Sequence, residues 1–375
     1  MHQWLKRAAP RALIVACPAL WRGMARSSFQ RWWACFCAIG AAHTQFALFS
    51  SPQEATIYQV RVPSPGADYS PAEVGASATA FITSGLGKPM GLTTGTSRDG
   101  LSRLLFVADE RHQMIWKFQI TMDPTRGAVL VDSSPKKAVR NVGKPRWVTT
   151  DTTGNLYYSD QATNRIMRIS AENIEADKPA LGEPLYDGGV LSSVQDPGGI
   201  AADAFFIVWG NQMRESPDRS SGTLVRGLLR PRRQDKADRA LSLRKIAANS
   251  DTTRGVCQSG DHVFFIDESS SIFGVAKSGG AITQVFGNNP DPEYAVLGSA
   301  NGCAGSEDGT MFVADASRHG IWTFAGRSQK LFPMDALTPL LFGPASMEPF
   351  DVTVVSKASV TLGCMTALLV ALLHG

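Results

Sequence analysis

One segment recurs four times between residues 104 and 324, and this recurrence limits the possible fold more than any other feature. The copies are Leu104 to Asp109 with Ile115 to Phe118, Leu156 to Asp160 with Ile166 to Ile169, Val263 to Asp267 with Ile272 to Val275, and Met311 to Asp315 with Ile321 to Phe324. Each is an apolar or aromatic strand ending in Asp, a short turn, and a second strand opening on Ile. Phe205 to Asn211 reads as a degenerate copy with Asn211 in the Asp place. Successive intervals along Asp109, Asp160, Asn211, Asp267 and Asp315 are 51, 51, 56 and 48 residues. A period near 50 built from short strands marks a β-propeller, whereas a helical solenoid repeats apolar residues at about 3.6-residue spacing.

A second shared element precedes each strand pair, a Gly or Pro turn leading into a short strand. It appears at Gly87-Lys88-Pro89-Met90-Gly91-Leu92, Gly143-Lys144-Pro145-Arg146-Trp147-Val148, Asp196-Pro197-Gly198-Gly199-Ile200, Thr253-Arg254-Gly255-Val256-Cys257 and Ala300-Asn301-Gly302-Cys303. A sixth copy runs from Gly343-Pro344 to Glu348-Pro349-Phe350-Asp351-Val352. The expected order is therefore innermost strand, second strand, third strand and a variable outer strand. These motifs resemble the NHL-repeat family, in which a Pro-Gly-like turn precedes the inner strand and a Tyr-Val-x-Asp-like strand leads into an Asn/His-x-Ile turn. Tyr158-Ser159-Asp160 with Asn164-Arg165-Ile166, and Phe312-Val313-Ala314-Asp315 with His319-Gly320-Ile321, carry the resemblance over about residues 85–355. It implies an all-β, six-bladed propeller over residues 54–356. Strand-like stretches at Thr56 to Val62 and Ala78 to Ile82 should complete the sixth blade with residues 350–356, because ring closure removes exposed sheet edges.

Charge is distributed unevenly. The chain has 375 residues with 37 Lys plus Arg and 33 Asp plus Glu, yet Met1 to Gln53 hold six of the basic residues and no acid. From Glu54 onward the net charge is −2, which excludes a uniformly basic nucleic-acid binder. The basic start, the apolar run Trp32 to Ala42 and its small-residue end read as a secretory signal over residues 1–42, with an organelle transit peptide as the alternative. At the other end, Val360 to Leu373 carries no charge. As a helix it would rise about 21 Å, less than a roughly 30 Å hydrocarbon core. Residues 357–375 therefore read as a lipid-anchor signal of the glycosylphosphatidylinositol type, with a tail-anchor span or a last core strand as alternatives. A secreted or endomembrane, membrane-tethered monomer is expected. Residues 211–249 read as a long basic loop, and its Arg230, Arg232 and Arg233 are candidates for docking an acidic partner.

Few residues suggest chemistry. The strand-end acids recur once per repeat, so they are expected to bind turn N–H groups rather than act in catalysis. His112 and His319 occupy equivalent turn positions, which disfavours a zinc site. Cys257 and Cys303 fall in consecutive inner strands and would bridge if their Cα atoms lie within about 7 Å; two buried thiols are the alternative. Lys88, Arg146, Asp196, Arg254, Asn301 and Glu348 should ring the channel mouth and suit an anionic or peptide ligand. No catalytic residue or cofactor is assigned from these patterns. The expected function is a ligand- or protein-binding scaffold. The architecture is also similar to the lactonase and regucalcin-like hydrolases, which implies an alternative: a metal-dependent esterase or lactonase holding calcium with Asp196, Asn301 and Glu348. Three cations in the same ring oppose that alternative.

Overall fold

The computed structural model describes residues 43–358 except 64–69, 99, 101, 124–125, 133, 177–180, 213–221, 232–235, 251, 290, 292–295, 327–330, 332 and 335. The expected leader, most of the anchor signal, and Arg232 and Arg233 lie outside the described residues. Among those described, no helix is long and apolar enough to cross a membrane.

Strand patterning decides the architecture. Leu104 to Asp109 is apolar at nearly every position, which suits a strand buried on both faces. Leu105 and Val107 face one neighbouring sheet, and Leu104, Phe106 and Ala108 face the other. The same division recurs in each repeat, so six apolar clusters fill the junctions between successive sheets. Six antiparallel sheets result, each with its inner strand first in the repeat. Blade 1 runs from Pro89–Thr96 through Arg103–Asp109 and Met114–Asp123 to Ala128–Val131, with Lys136–Arg140 as a fifth strand. The inner strands of blades 2 to 5 are Pro145–Thr150, Pro197–Ala202, Val256–Ser259 and Ala300–Gly305.

Blade 6 closes the ring. Its order is Val352–Ala358, His43–Ser51, Thr56–Val62, Thr79–Ile82, so the C-terminal strand is innermost and three N-terminal strands lie outside it. The expected closure is present, and it begins earlier than residue 54. His43–Ser51 belongs to the acid-free stretch that sequence patterning assigns to no blade, yet it lies in register with the next strand, Ser50 opposite Ile57.

The expected long basic loop over 211–249 is not a loop for most of its length. Gly222–Leu228 and Arg244–Ser250 are the third and fourth strands of blade 3, with a short helix at Lys236–Leu241 between them. Thr223-Leu224-Val225 is too brief an apolar run among charged neighbours to stand out. Its order comes from pairing along Phe206–Asn211.

Asp267 accepts the Ser271 N–H at 2.9 Å in the turn that follows it, while Asp109, Asp160 and Asp315, with Asn211, do one repeated job. Asp109 accepts the backbone N–H groups of Gly87 and Lys88 at 2.7 and 2.9 Å, and Asp315 accepts those of Gly298 and Ser299 at the same distances. Asp160 accepts from Lys144, and Asn211 from Gln195. Each carboxylate or amide ties the end of a second strand to the turn that starts its own inner strand, which fixes where the residues of the channel mouth sit.

Candidate active site in the channel

The six inner strands surround a cavity of about 230 Å³. Leu92 to Thr94, Trp147 to Thr150, Ile200 to Ala202 and their equivalents in the other blades line it. Threonine side chains and strand backbone make up much of the wall, and one carboxyl group, that of Asp351, lines the cavity with them.

Asp351 stands where four other inner strands carry glycine: Gly91, Gly199, Gly255 and Gly302. The inner strands approach so closely here that a Cβ on Gly302 would lie 2.0 Å from Asp351 Oδ1. The glycine thus makes room for the carboxyl group. Leu92 N–H donates to Asp351 Oδ2 at 3.0 Å, and the Asp351 N–H donates to Ser50 Oγ at 3.2 Å. Burial pushes the carboxyl group up to about 7, against the lowering effect of backbone N–H donors from Leu92 and Val352. A group poised near neutrality inside a cavity is equipped to take up and release a proton at physiological pH.

The sixth residue of this ring is Trp147, packed against Phe350 with ring centroids 5.4 Å apart. The Arg146 guanidinium lies over both rings, at 5.1 and 5.3 Å. It is thereby held above the residue that precedes Asp351. Its Nε is buried without a hydrogen-bond partner. Burial lowers its proton affinity; Glu110 and Asp196 raise it, and the Arg254 charge lowers it further. Lys88 pairs with Glu110 at 2.8 Å.

The structure therefore brings Lys88, Arg146, Asp196 and Arg254 into one charge cluster at the start of the inner strands, with Glu110 as an added member. Asn301 turns its amide back onto Ser299 O at 3.0 Å. The Glu348 N–H donates to Ser51 Oγ at 3.3 Å. Of the three residues proposed for calcium, Asp196 lies within the field of Arg146, and the Asn301 amide nitrogen is engaged by its own strand. Among the described residues, no three His, Cys, Asp or Glu side chains are grouped to hold a metal ion. His112 is engaged by Asp109 at 2.7 Å and His319 by Met347 O at 3.0 Å.

Two residues escaped the sequence reading. Glu110 follows a strand-end Asp directly, and the same offset marks Gln161 and Gln212, which bond to each other across blades at 3.0 Å. Asp351 was visible as the acid replacing an inner-strand glycine. Cys257 and Cys303, on adjacent inner strands, form a disulfide with Cα atoms 5.7 Å apart.

No protein-family model matches the sequence, and no curated protein matches it. Solved structures do. The chain is similar to a provisionally assigned 6-phosphogluconolactonase of Bacteroides fragilis, at 12% identity and a TM-score of 0.50 over 84% of this chain and 99% of that one. It is also similar to a provisionally assigned 6-phosphogluconolactonase of Bacteroides uniformis, at 14% identity and a TM-score of 0.48 over 80% and 84% of the two chains. A gluconolactonase of Xanthomonas campestris matches at 13% identity and a TM-score of 0.46 over 68% and 76%. The likeness establishes the propeller fold. The expectation of a ligand- or protein-binding scaffold is corrected at this point: the structure matched at a TM-score of 0.50 is named for lactonase chemistry, which favours the alternative reading over the scaffold.

Proposed function

We propose that this protein is a hydrolase of small anionic lactones, with Asp351 as general base in the propeller channel. The observation that carries the reading is the placement of that carboxyl group, buried in the channel wall and held by the Leu92 N–H. Ionised Asp351 removes a proton from a water molecule as its oxygen bonds to the lactone carbonyl carbon. The ring C–O bond then breaks, and the proton is returned to the leaving alkoxide. Arg146 and Arg254 hold the carboxylate or phosphate of the substrate, as guanidinium groups do for planar or tetrahedral anions. The cavity is smaller than the roughly 300 Å³ at which drug-sized sites begin, which favours a compact substrate. Lactonase names among the structures of like fold support the same reaction class. The Cys257–Cys303 disulfide supports a secretory or other oxidising location.

The test is hydrolysis of glucono-δ-lactone and 6-phosphogluconolactone in the presence of a chelator. Wild-type protein should accelerate opening of at least one of them, with activity rising through an apparent pKa near 7. Asp351→Asn should lower kcat on the order of 10²-fold or more. Full activity in Asp351→Asn, or activity that appears only with added calcium, would remove the reading.

A further inference from the structure

A second charged cavity lies away from the channel, on the side of blades 2 and 3. It measures about 280 Å³, and Arg168, Arg230 and Arg239 line it. These arginines come from three separate elements: the third strand of blade 2 (Arg165–Ile169), the turn after Gly222–Leu228, and the Lys236–Leu241 helix. Among the described residues, Glu183 is the single acid that lines the cavity, and it engages Arg168 Nη1 at 3.2 Å.

The remaining donors are poorly matched. Arg239 gives Nη1 to Pro184 O at 3.1 Å, and Arg230 reaches Thr153 Oγ1 only at 3.5 Å. The Nε atoms of Arg168 and Arg239 are buried with no partner. Leaving such a donor unmatched costs more than an exposed one, because a buried charged group loses its water without replacement. Three guanidinium groups around one carboxylate leave an excess of two positive charges. An anion with several acceptor oxygens would satisfy both the charge and the free donors. Pro184, Leu185 and Leu229 supply an apolar wall beside them.

We infer that this cavity is a binding site for a small organic phosphate or sulfate ester, its anionic head on the arginines and its carbon body against the prolines and leucines. The site is independent of the channel and does not rest on the lactonase reading. A phosphomonoester matches better than a carboxylate because its three terminal oxygens can serve guanidinium groups arriving from three directions.

Isothermal titration of the wild-type protein with phenyl phosphate, combined with hydrogen exchange, tests the inference. Saturable binding is expected, tighter than for inorganic phosphate because of the apolar wall. Exchange should slow at residues 228–230 and 239–241. Arg230 is exposed, so Arg230→Glu leaves the fold intact and should weaken binding by about tenfold or more. Absence of saturable binding, unchanged affinity in Arg230→Glu, or protection confined to the inner-strand starts at 145–147 and 254–256 would overturn it.

Discussion

Asp351 shows how one residue type acquires its role from its neighbours. The five strand-end groups, four acids and Asn211, are equally visible in the sequence, yet they are used up on turn N–H groups. Asp109, for example, is held below the usual carboxylate range: its backbone and Trp116 donors outweigh burial. Asp351 is shifted the other way. At pH below about 4 its carboxyl group is protonated in both folded and unfolded chains and costs the fold nothing. Between about 4 and 7 the unfolded chain ionises first, so stability declines across that window and remains lower above it. Asp351→Asn removes the decline while keeping an acceptor for Leu92 N–H. Its urea midpoint, measured relative to wild type, should therefore rise as pH is raised from 4 to 8. A difference that does not change with pH would show that the carboxyl group is not buried in its neutral form. Glycines frame the same site. Gly302→Ala would drive a methyl group into the Asp351 side chain and backbone, at 2.0 and 2.7 Å, and should cost on the order of 1–3 kcal/mol in chemical denaturation.

The inner strands are the elements that matter most, because their side-by-side approach builds the channel and brings the cysteines together. Cys257 and Cys303 are 46 residues apart in sequence and on neighbouring strands in space. Closing a loop of that length in the unfolded chain gives about 4 kcal/mol in the chain-entropy estimate. Cys257→Ala with Cys303→Ala should therefore lower stability by roughly 2–4 kcal/mol, read as a shifted denaturant midpoint, and reducing agent should reproduce the loss in the wild type. No effect of reduction on the midpoint would mean that the bridge does not form. The pairing was readable from consecutive inner strands, with Cys257 two residues after Gly255 and Cys303 one residue after Gly302. The third and fourth strands of blade 3 were not, because Gly222–Leu228 and Arg244–Ser250 have charged neighbours and little alternation. Their conformation follows from hydrogen-bond partners already in place, a tertiary cause that local patterning does not carry.

At the scale of the whole molecule, the ring is held by Val352–Ala358 pairing with His43–Ser51, strands from opposite ends of the described chain. Backbone bonds reinforce this, with Ser50 N–H donating to Asp351 O at 3.1 Å and Phe350 N–H to Ser50 O at 2.9 Å. Ending the chain at residue 351 should expose the edge of His43–Ser51, abolish cooperative unfolding and give enlarged species by size exclusion. A monomeric truncation with a single sharp transition would refute ring closure as the source of stability. The sequence by itself determined the blade count, the inner and second strands of each repeat and the turn role of the repeated acids, since periodic burial on two faces is written in periodic residues. It also placed Arg146, Asp196 and Arg254 near one mouth. Only the tertiary structure decided which of them share a field, that Glu110 joins them, and that Asp351 is buried in the channel wall. These depend on distances between strands some 50 to 260 residues apart, and a carboxyl group's proton affinity is set by the groups surrounding it in space.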